Sequence, residues 1–409
     1  MEYDFAVIWE GVIFAIRWLH VITAIAWIGS SFYFIALDLG LHKRPHLPAG
    51  ATGEEWQVHG GGFYHIQKYL VAPEKMPDHL TWFKWESYTT WLSGFALMAV
   101  LYYVSADLYL IDRNIADIST LWAIAISMAS LAFGWVIYDQ LCKSKFGDDN
   151  NRLMVLLFFL LVAMAYGYTQ VFTGRAAFLH LGAFTATIMS GNVFFIIMPN
   201  QRIVVADLKA GRTPDAKYGK IAKQRSTHNN YLTLPVIFMM LSNHYPLAFA
   251  TQYNWLIAAL VFLMGVTIRH YFNSRHGRTG NPTWTWLATA ILFILAVWLS
   301  SLGPKTSETA DGELSSVQQT FAAAPGFSQV VDTVQGRCSM CHASEPAWEG
   351  LIAPPKGVVL ADTRDIARQA RQIYLHSAIS NAMPPGNLTG MTMAERKNIT
   401  DWYRAATGS

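Results

Sequence analysis

Of 409 residues, 53% are hydrophobic and only 14% are charged, whereas a soluble globular chain carries about 25% charged residues. The deficit excludes an ordinary water-soluble globule and argues that much of the surface faces lipid. The net charge of +3 discriminates little; no nucleic acid is expected as a partner, and with two of the three cysteines in one motif no disulfide framework is expected.

Apolar stretches of about 20 residues can cross the roughly 30 Å hydrocarbon core of a bilayer. Eight are read here, at about 9–40, 86–106, 118–140, 153–172, 176–198, 230–250, 253–273 and 284–302. The first lacks a basic start and a small-residue cleavage site, so it is expected to stay in the membrane rather than act as a signal peptide. Basic residues alternate between connections. Lys43, Arg44, Lys68, Lys75 and Lys84 follow span one, Lys143, Lys145 and Arg152 span three, Arg202 to Arg225 span five, and Arg275 and Arg278 span seven. The other connections are poor in positive charge. The positive-inside rule then makes the odd-numbered loops cytoplasmic and places both termini outside.

Ionisable groups in hydrocarbon cost roughly 2.5–3.5 kcal/mol each on insertion scales, so each needs a partner or a purpose. Arg17 and His20 share a face of span one, His180 lies in span five and His244 in span six, all in the outer half. These histidines suit either axial ligation of a haem b, with Arg17 on a propionate, or interhelical hydrogen bonding. A second polar set is expected at the inner side: Glu86, His228, Asn229, Asn230, Arg269 and His270, with His65 and Lys68 in the long loop beside them. This set reads either as a binding site or as solvated helix ends.

Residues 304–325 are rich in Ser, Thr, Ala, Gln and acidic residues and are expected to be a flexible tether. The stretch after it holds Cys338-Ser339-Met340-Cys341-His342. Two thiols three positions apart can each bond one vinyl group of a haem, and the adjacent histidine lies beneath the iron, so C-x-x-C-H reads as covalent haem c attachment. A zinc site would want four ligands, and the remaining cysteine, Cys142, lies far back among apolar residues. Met383, in a proline-braced loop, is the expected second iron ligand; Met391 and Met393 fit less well because Thr392 to Glu395 spells a capping box. Helices are expected over 327–336, about 363–380 and 392–406. The expected architecture is thus all-α: an eight-helix transmembrane bundle over 1–303, the linker 304–325, and a small class I-like cytochrome c domain over 326–409.

Arg17-Trp18-Leu19-His20 with Ala26-Trp27-Ile28-Gly29, then Gly60-Gly61-Gly62-Phe63-Tyr64-His65, then Thr227-His228-Asn229-Asn230-Tyr231, precede the haem motif in that order. In this combination the chain resembles the membrane-bound, cytochrome c-linked urate oxidase (urate hydroxylase) family of bacteria. The resemblance implies oxidation of urate to 5-hydroxyisourate in purine degradation, with electrons passing to haem c and on to a soluble cytochrome c or a terminal oxidase. It further implies a multi-pass protein of the bacterial inner membrane, in contact with membrane lipid, whose cytochrome domain lies in the periplasm. Urate is a planar monoanion, and the inner set offers Arg269, Asn229, Asn230, His270 and Lys68 to bind it. His65, His228 or Glu86 can act as base. From an inner site, however, electrons would cross the bilayer to reach an outer haem, a path that a haem b on two of His20, His180 and His244 would shorten. A quinol-oxidising electron-transfer protein and a transporter with a tethered cytochrome are the competing readings.

Overall fold

A computed structural model gives the structure of the chain and describes residues 5–70, 73, 77–112, 115–302, 314–349, 351 and 354–408. Lys75, Arg113 and residues 304–313 of the expected tether lie outside the described residues.

The chain is mostly helical. The first part contains α1 (Phe5–Gly40), α2 (Trp85–Met98, continued by a wide π turn over Ala99–Tyr103), α3 (Thr120–Lys143), α4 (Asn150–Thr169), α5 (Gly174–Lys209), α6 (Ala216–Leu241), α7 (Asn254–His276) and α8 (Trp284–Ser300). Five of these, α1, α3, α4, α5 and α7, are long and apolar enough to cross a membrane. Side chains that the sequence places at helix starts hold the first turns: Ser119 accepts from the Trp122 amide, Asp149 from Asn151 and Arg152, Thr173 from Ala176, and Asp215 from Lys217.

Helices α3 to α7 bury Tyr138, Leu157, Leu161, Phe172, Phe184 and Ile257 against one another. By contrast, only 6% of the most apolar window of α1 is buried, and Phe14, Trp18, Ile22 and Ile25 stand exposed along it. A helix that is apolar yet uncovered matches a lipid-facing surface. Pro235 inside α6 is accommodated by Gly265 of α7, where a Cβ would stand 2.5 Å from the proline Cδ. Helix α6 begins earlier and ends sooner than expected: it stops at Leu241 and gives way to a 3-10 turn over Ser242–His244 and a short turn over Pro246–Phe249. Pro246 lacks the amide to continue the ladder and disfavours helical geometry before it.

The all-α expectation fails between α1 and α2. Residues Ala51–His59 (β1) and Gly62–Tyr69 (β2) pair antiparallel as a hairpin, with Trp56 opposite His65 and Val58 opposite Phe63. The turn needs left-handed backbone at Gly60 (φ +60°) and Gly61 (φ +81°), and two glycines between alternating runs are a hairpin signal that the apolar count overlooks. The hairpin is fastened to α1 by Lys68 and Asp38, and by His42, whose backbone bridges Glu54.

The tether is also shorter than expected. Ser316–Ala323 forms a helix, α9, opened by a Ser315/Gln318 capping box. Its Phe321 ring stacks on Tyr403 at 5.3 Å, and its carbonyl accepts from Trp402 Nε1 at 2.9 Å. Helix α9 therefore belongs to the C-terminal domain, with α10 (Phe327–Arg337), α11 (Thr363–Arg368) and α12 (Met393–Thr407). Helix α12 opens with the expected Thr392/Glu395 capping box. Trp402, Tyr374, Ile399, Val330 and Val334 are buried at the centre of this domain.

The C-terminal domain rests on one end of the helical part. Ala6 of α1 is buried in its apolar core, Glu10 pairs with Arg371 at 3.4 Å, and Gly357 packs on the Phe249 ring. The hairpin occupies the other end. At 1.5 Å per residue, α1 holds the two ends about 50 Å apart.

Candidate functional site

At the hairpin end a buried polar network runs between α3, α5 and α6. Arg225 is 2% exposed and bonds Asp139 at 2.7 Å and Asn192 Oδ1 at 3.1 Å. Asn192 in turn donates to Asn229 Oδ1 at 3.0 Å and to the Tyr138 hydroxyl at 3.3 Å, and Tyr138 shares a 2.8 Å hydrogen bond with His228 Nδ1. Lys143 approaches the other Asp139 oxygen at 2.6 Å from the surface. Asn192 opens a π turn over Asn192–Ile197 within α5, a local widening of a kind frequent at functional sites. Next to this network, Arg269 of α7 donates to Asn230 at 3.2 Å and to Asn273 at 3.0 Å, with its guanidinium 4.2 Å from the Phe32 ring. His228 Nε2, Arg225 Nε and Asn230 Nδ2 are buried without a partner among the described residues, the kind of group that native structures satisfy with water or ligand.

The eight inner residues expected from sequence therefore divide into several groups. His228 and Asn229 belong to the Arg225 network, while Asn230 of α6 meets Arg269 of α7. His65 belongs to the hairpin, donating to Glu54 at 2.8 Å and stacking on Trp56 at 4.1 Å. Lys68 is engaged by Asp38, which also takes Lys223 at 3.0 Å. Glu86 keeps a buried, unpartnered oxygen at the start of α2, and His270 is exposed beside Trp284. Asp139, Arg225, Tyr138, Asn192 and Asn273 were missed. Asp139 carried a usable signal, an acid in the last turns of an apolar span. A cleft of about 340 Å³ between α1, the hairpin and the end of α7 is lined by Tyr33, Glu55, Gln57, Arg275 and Arg278.

The three outer histidines, expected as possible haem b ligands, sit in different settings. His180 is fully buried and uses both ring nitrogens, Nδ1–H donating to Ala176 O at 2.8 Å and Nε2 accepting from Ser127 Oγ at 2.8 Å. His20 donates from Nδ1 to the Thr90 carbonyl at 3.1 Å, and its ring lies so close to Gly94 that a Cβ there would stand 2.8 Å away. His244 lies beyond the end of α6 on an exposed turn. His180 thus has both ring nitrogens engaged, whereas His20 keeps its second nitrogen and His244 stands exposed.

In the C-terminal domain the donors for an attached haem do fit. Cys338 is buried at the end of α10, and Cys341 and His342 follow on the next turn, their amides both bonded to the Cys338 carbonyl. His342 donates from Nδ1 to the Val358 carbonyl at 2.8 Å, which fixes the tautomer and leaves Nε2 as the ligating atom. Met383 is half-buried on its loop, whereas Met391 is packed in the core and Met393 is 77% exposed. The Met383 loop is clamped by Arg396, a buried cation that the sequence reading did not single out. Arg396 donates to the Met383 carbonyl at 3.0 Å and to Asn387 Oδ1 at 3.2 Å. Among the described residues, no group of three or more His, Cys, Asp or Glu is arranged to hold a metal ion.

With both ends of the molecule in view, the comparison with known families is decisive for the helical part: the urate oxidase N-terminal family matches residues 6–300. The chain belongs to the urate oxidase N-terminal family. No curated protein and no solved structure matches it. The match covers α1 through α8, including the hairpin, the Arg225 network and the outer histidines, and it points to an oxidoreductase that acts on urate. The thiol-bearing C-terminal domain lies beyond the matched residues, so urate oxidase family membership and the C-x-x-C-H motif are independent observations on one chain.

Proposed function

We propose that this protein is a membrane-bound oxidoreductase that converts urate to 5-hydroxyisourate in purine degradation and delivers the electrons to a haem c held by its own C-terminal domain. The observation that carries this reading is the fusion of a urate oxidase N-terminal region to Cys338, Cys341 and His342, whose imidazole is oriented by Val358. The proposed setting is the bacterial inner membrane, with α1 to α8 as the eight crossings in lipid and the C-terminal domain in the periplasm. The five long apolar helices and the uncovered face of α1 support it.

The balance of the reaction sets what the chain must do. Urate monoanion plus one water gives 5-hydroxyisourate, one proton and two electrons. Cys338 and Cys341 would carry a haem c covalently, His342 and Met383 would ligate its iron, and the group would supply a one-electron acceptor of relatively high potential. The two electrons therefore leave in succession, each passed to a soluble cytochrome c or terminal oxidase before the next. The polypeptide must hold the anion, exclude competing water, take up one proton and keep the donor close to the C-terminal domain. Arg396 keeps the methionine loop in place for that acceptor.

The test is spectroscopic: urate is added anaerobically to oxidised membranes while the haem c band is followed. Prompt reduction, two equivalents per urate, is the expected result. An intact haem c that urate leaves oxidised would sink the reading and favour a quinol-oxidising protein or a transporter with a tethered cytochrome.

A further inference from the structure

The hairpin end holds many of the polar groups, yet it lies about 50 Å along α1 from the C-terminal domain. Electron transfer through protein falls off exponentially with distance, and of the outer histidines that could relay electrons through a haem b, His180 already has both ring nitrogens engaged. The cleft lined by Arg275 and Arg278 lies at that same remote end. A substrate oxidised near the other end, where the C-terminal domain docks, would have the shorter electron path to that domain.

At that docking face, both walls of the expected haem crevice turn towards the helices. The 354–358 loop, whose Val358 carbonyl orients His342, rests on Phe249 through Gly357. The segment that carries His376, whose carbonyl takes the Met383 amide, approaches Glu10. Beneath them the helical part presents a compact group of cations and phenols. The Arg175 guanidinium lies 5.0 Å from the Tyr109 ring centre and beside the Tyr102 phenol, while its Nε is buried without a partner among the described residues. The charge of Arg17 on α1 is felt at the Tyr102 phenol as a second cation, and those of Glu10 and Arg371 at Tyr109. The group is rigidly held: Thr173 donates to the Tyr109 carbonyl at 2.8 Å, and Ile111 bridges Phe172. Tyr102 is set by the π turn over Ala99–Tyr103 and meets the buried His180 ring edge-on at 5.7 Å.

Resting on the reading that the substrate is urate, we infer that this outer group is where the urate anion binds and is oxidised, with Arg175 holding the anionic edge and Tyr109 flanking the ring. Arg175 offers a donor without a partner among the described residues, the Tyr109 ring lies beside it, and the domain that would hold the one-electron acceptor docks on this end of the helices. One water would add to the urate ring here as two electrons leave one at a time for the haem c that the C-terminal domain would hold, and the one proton released would leave to water at the domain interface.

Sidedness tests this directly. In sealed right-side-out vesicles, urate added outside should reduce haem c promptly; in sealed inside-out vesicles it should do so only after detergent opens them. The reverse pattern overturns the outer site while leaving the urate reading standing. No reduction even in opened vesicles removes the urate reading and this inference with it. In opened vesicles, Arg175→Gln should raise the urate concentration for half-maximal reduction by roughly tenfold or more, as expected for loss of a charge-assisted hydrogen bond. Arg175→Lys should recover part of that loss, and the dithionite-reduced haem spectrum should be unchanged in both, which separates substrate binding from misfolding. An Arg175→Gln protein with the wild-type urate dependence overturns the assignment.

Discussion

Glu54 shows how a charged side chain can be placed almost out of water without loss. Only 3% exposed, it gathers His65 at 2.8 Å, Arg44 at 3.2 Å and His46 at 3.5 Å. The His65 hydrogen bond, opposed by burial and helped by the charges of His46 and Arg44, holds its carboxyl below the ordinary glutamate range. A pKa depressed by folding gives stability that is fully present above the unfolded pKa, about 4.3, and is lost as pH falls through the folded value. The hairpin is therefore expected to loosen on acidification below that point, and Glu54→Gln should loosen it already at neutral pH. The Trp56 contribution to fluorescence, taken as the difference between the wild type and Trp56→Phe, reports this because Trp56 stacks on His65; a Trp56 signal flat from pH 7 to pH 3 contradicts it. At this scale, His65 was visible in the sequence as a titratable residue after three glycines. Its commitment to Glu54 was not visible, because it depends on a strand register that brings position 65 beside position 54.

Among the elements, the junction of α3, α5 and α6 concentrates the strongest interaction in the helical part. Arg225 and Asp139 meet at 2.7 Å with both side chains buried. Removing one partner of a buried ion pair costs about 3–5 kcal/mol, because the other is left uncompensated. Here Lys143 still reaches Asp139 at 2.6 Å, so Arg225→Met is expected to fall at or below the low end of that range. The double variant Asp139→Leu/Arg225→Met should regain a large part, since it removes the stranded charge. Thermal unfolding of the detergent-purified protein measures both; a double variant less stable than Arg225→Met would show that the pair is worth more than its desolvation. The helices themselves were legible from hydropathy. Their partner choice was not: Arg225 read as one of several cations in a basic loop, and only the extension of α6 back to Ala216 draws it into the bundle. The hairpin escaped for a related reason, since counting apolar residues over long windows averages away a period of two.

For the whole molecule, the arrangement of two ends decides the chemistry. The C-terminal domain is held on the helical part by Ala6, the Phe249–Gly357 contact and the Glu10–Arg371 pair. That pair is partly exposed, so its contribution to stability is about 1 kcal/mol or less, and its importance lies in orientation. Glu10→Arg should slow urate-driven reduction of haem c several-fold without altering the haem spectrum, and the charge swap Glu10→Arg/Arg371→Glu should restore much of the rate. Rapid-mixing kinetics reads the difference. An unaffected rate in Glu10→Arg would mean that the docked geometry does not govern electron entry.

Apolar length and a capping box are local properties, and so the helical segments and the last helix with its Thr392/Glu395 box could be read directly along the chain. Which polar residues meet is a different kind of fact. The inner set that looked like one site divides among the hairpin, α6 and α7, His180 satisfies both its nitrogens on Ala176 and Ser127, and Arg175 emerges beside Tyr102 and Tyr109 beneath the docked domain. Those pairings are set by helix rotation, by π turns that shift the facing residues and by the docking of two domains, and each depends on contacts between residues far apart in sequence that periodicity cannot report.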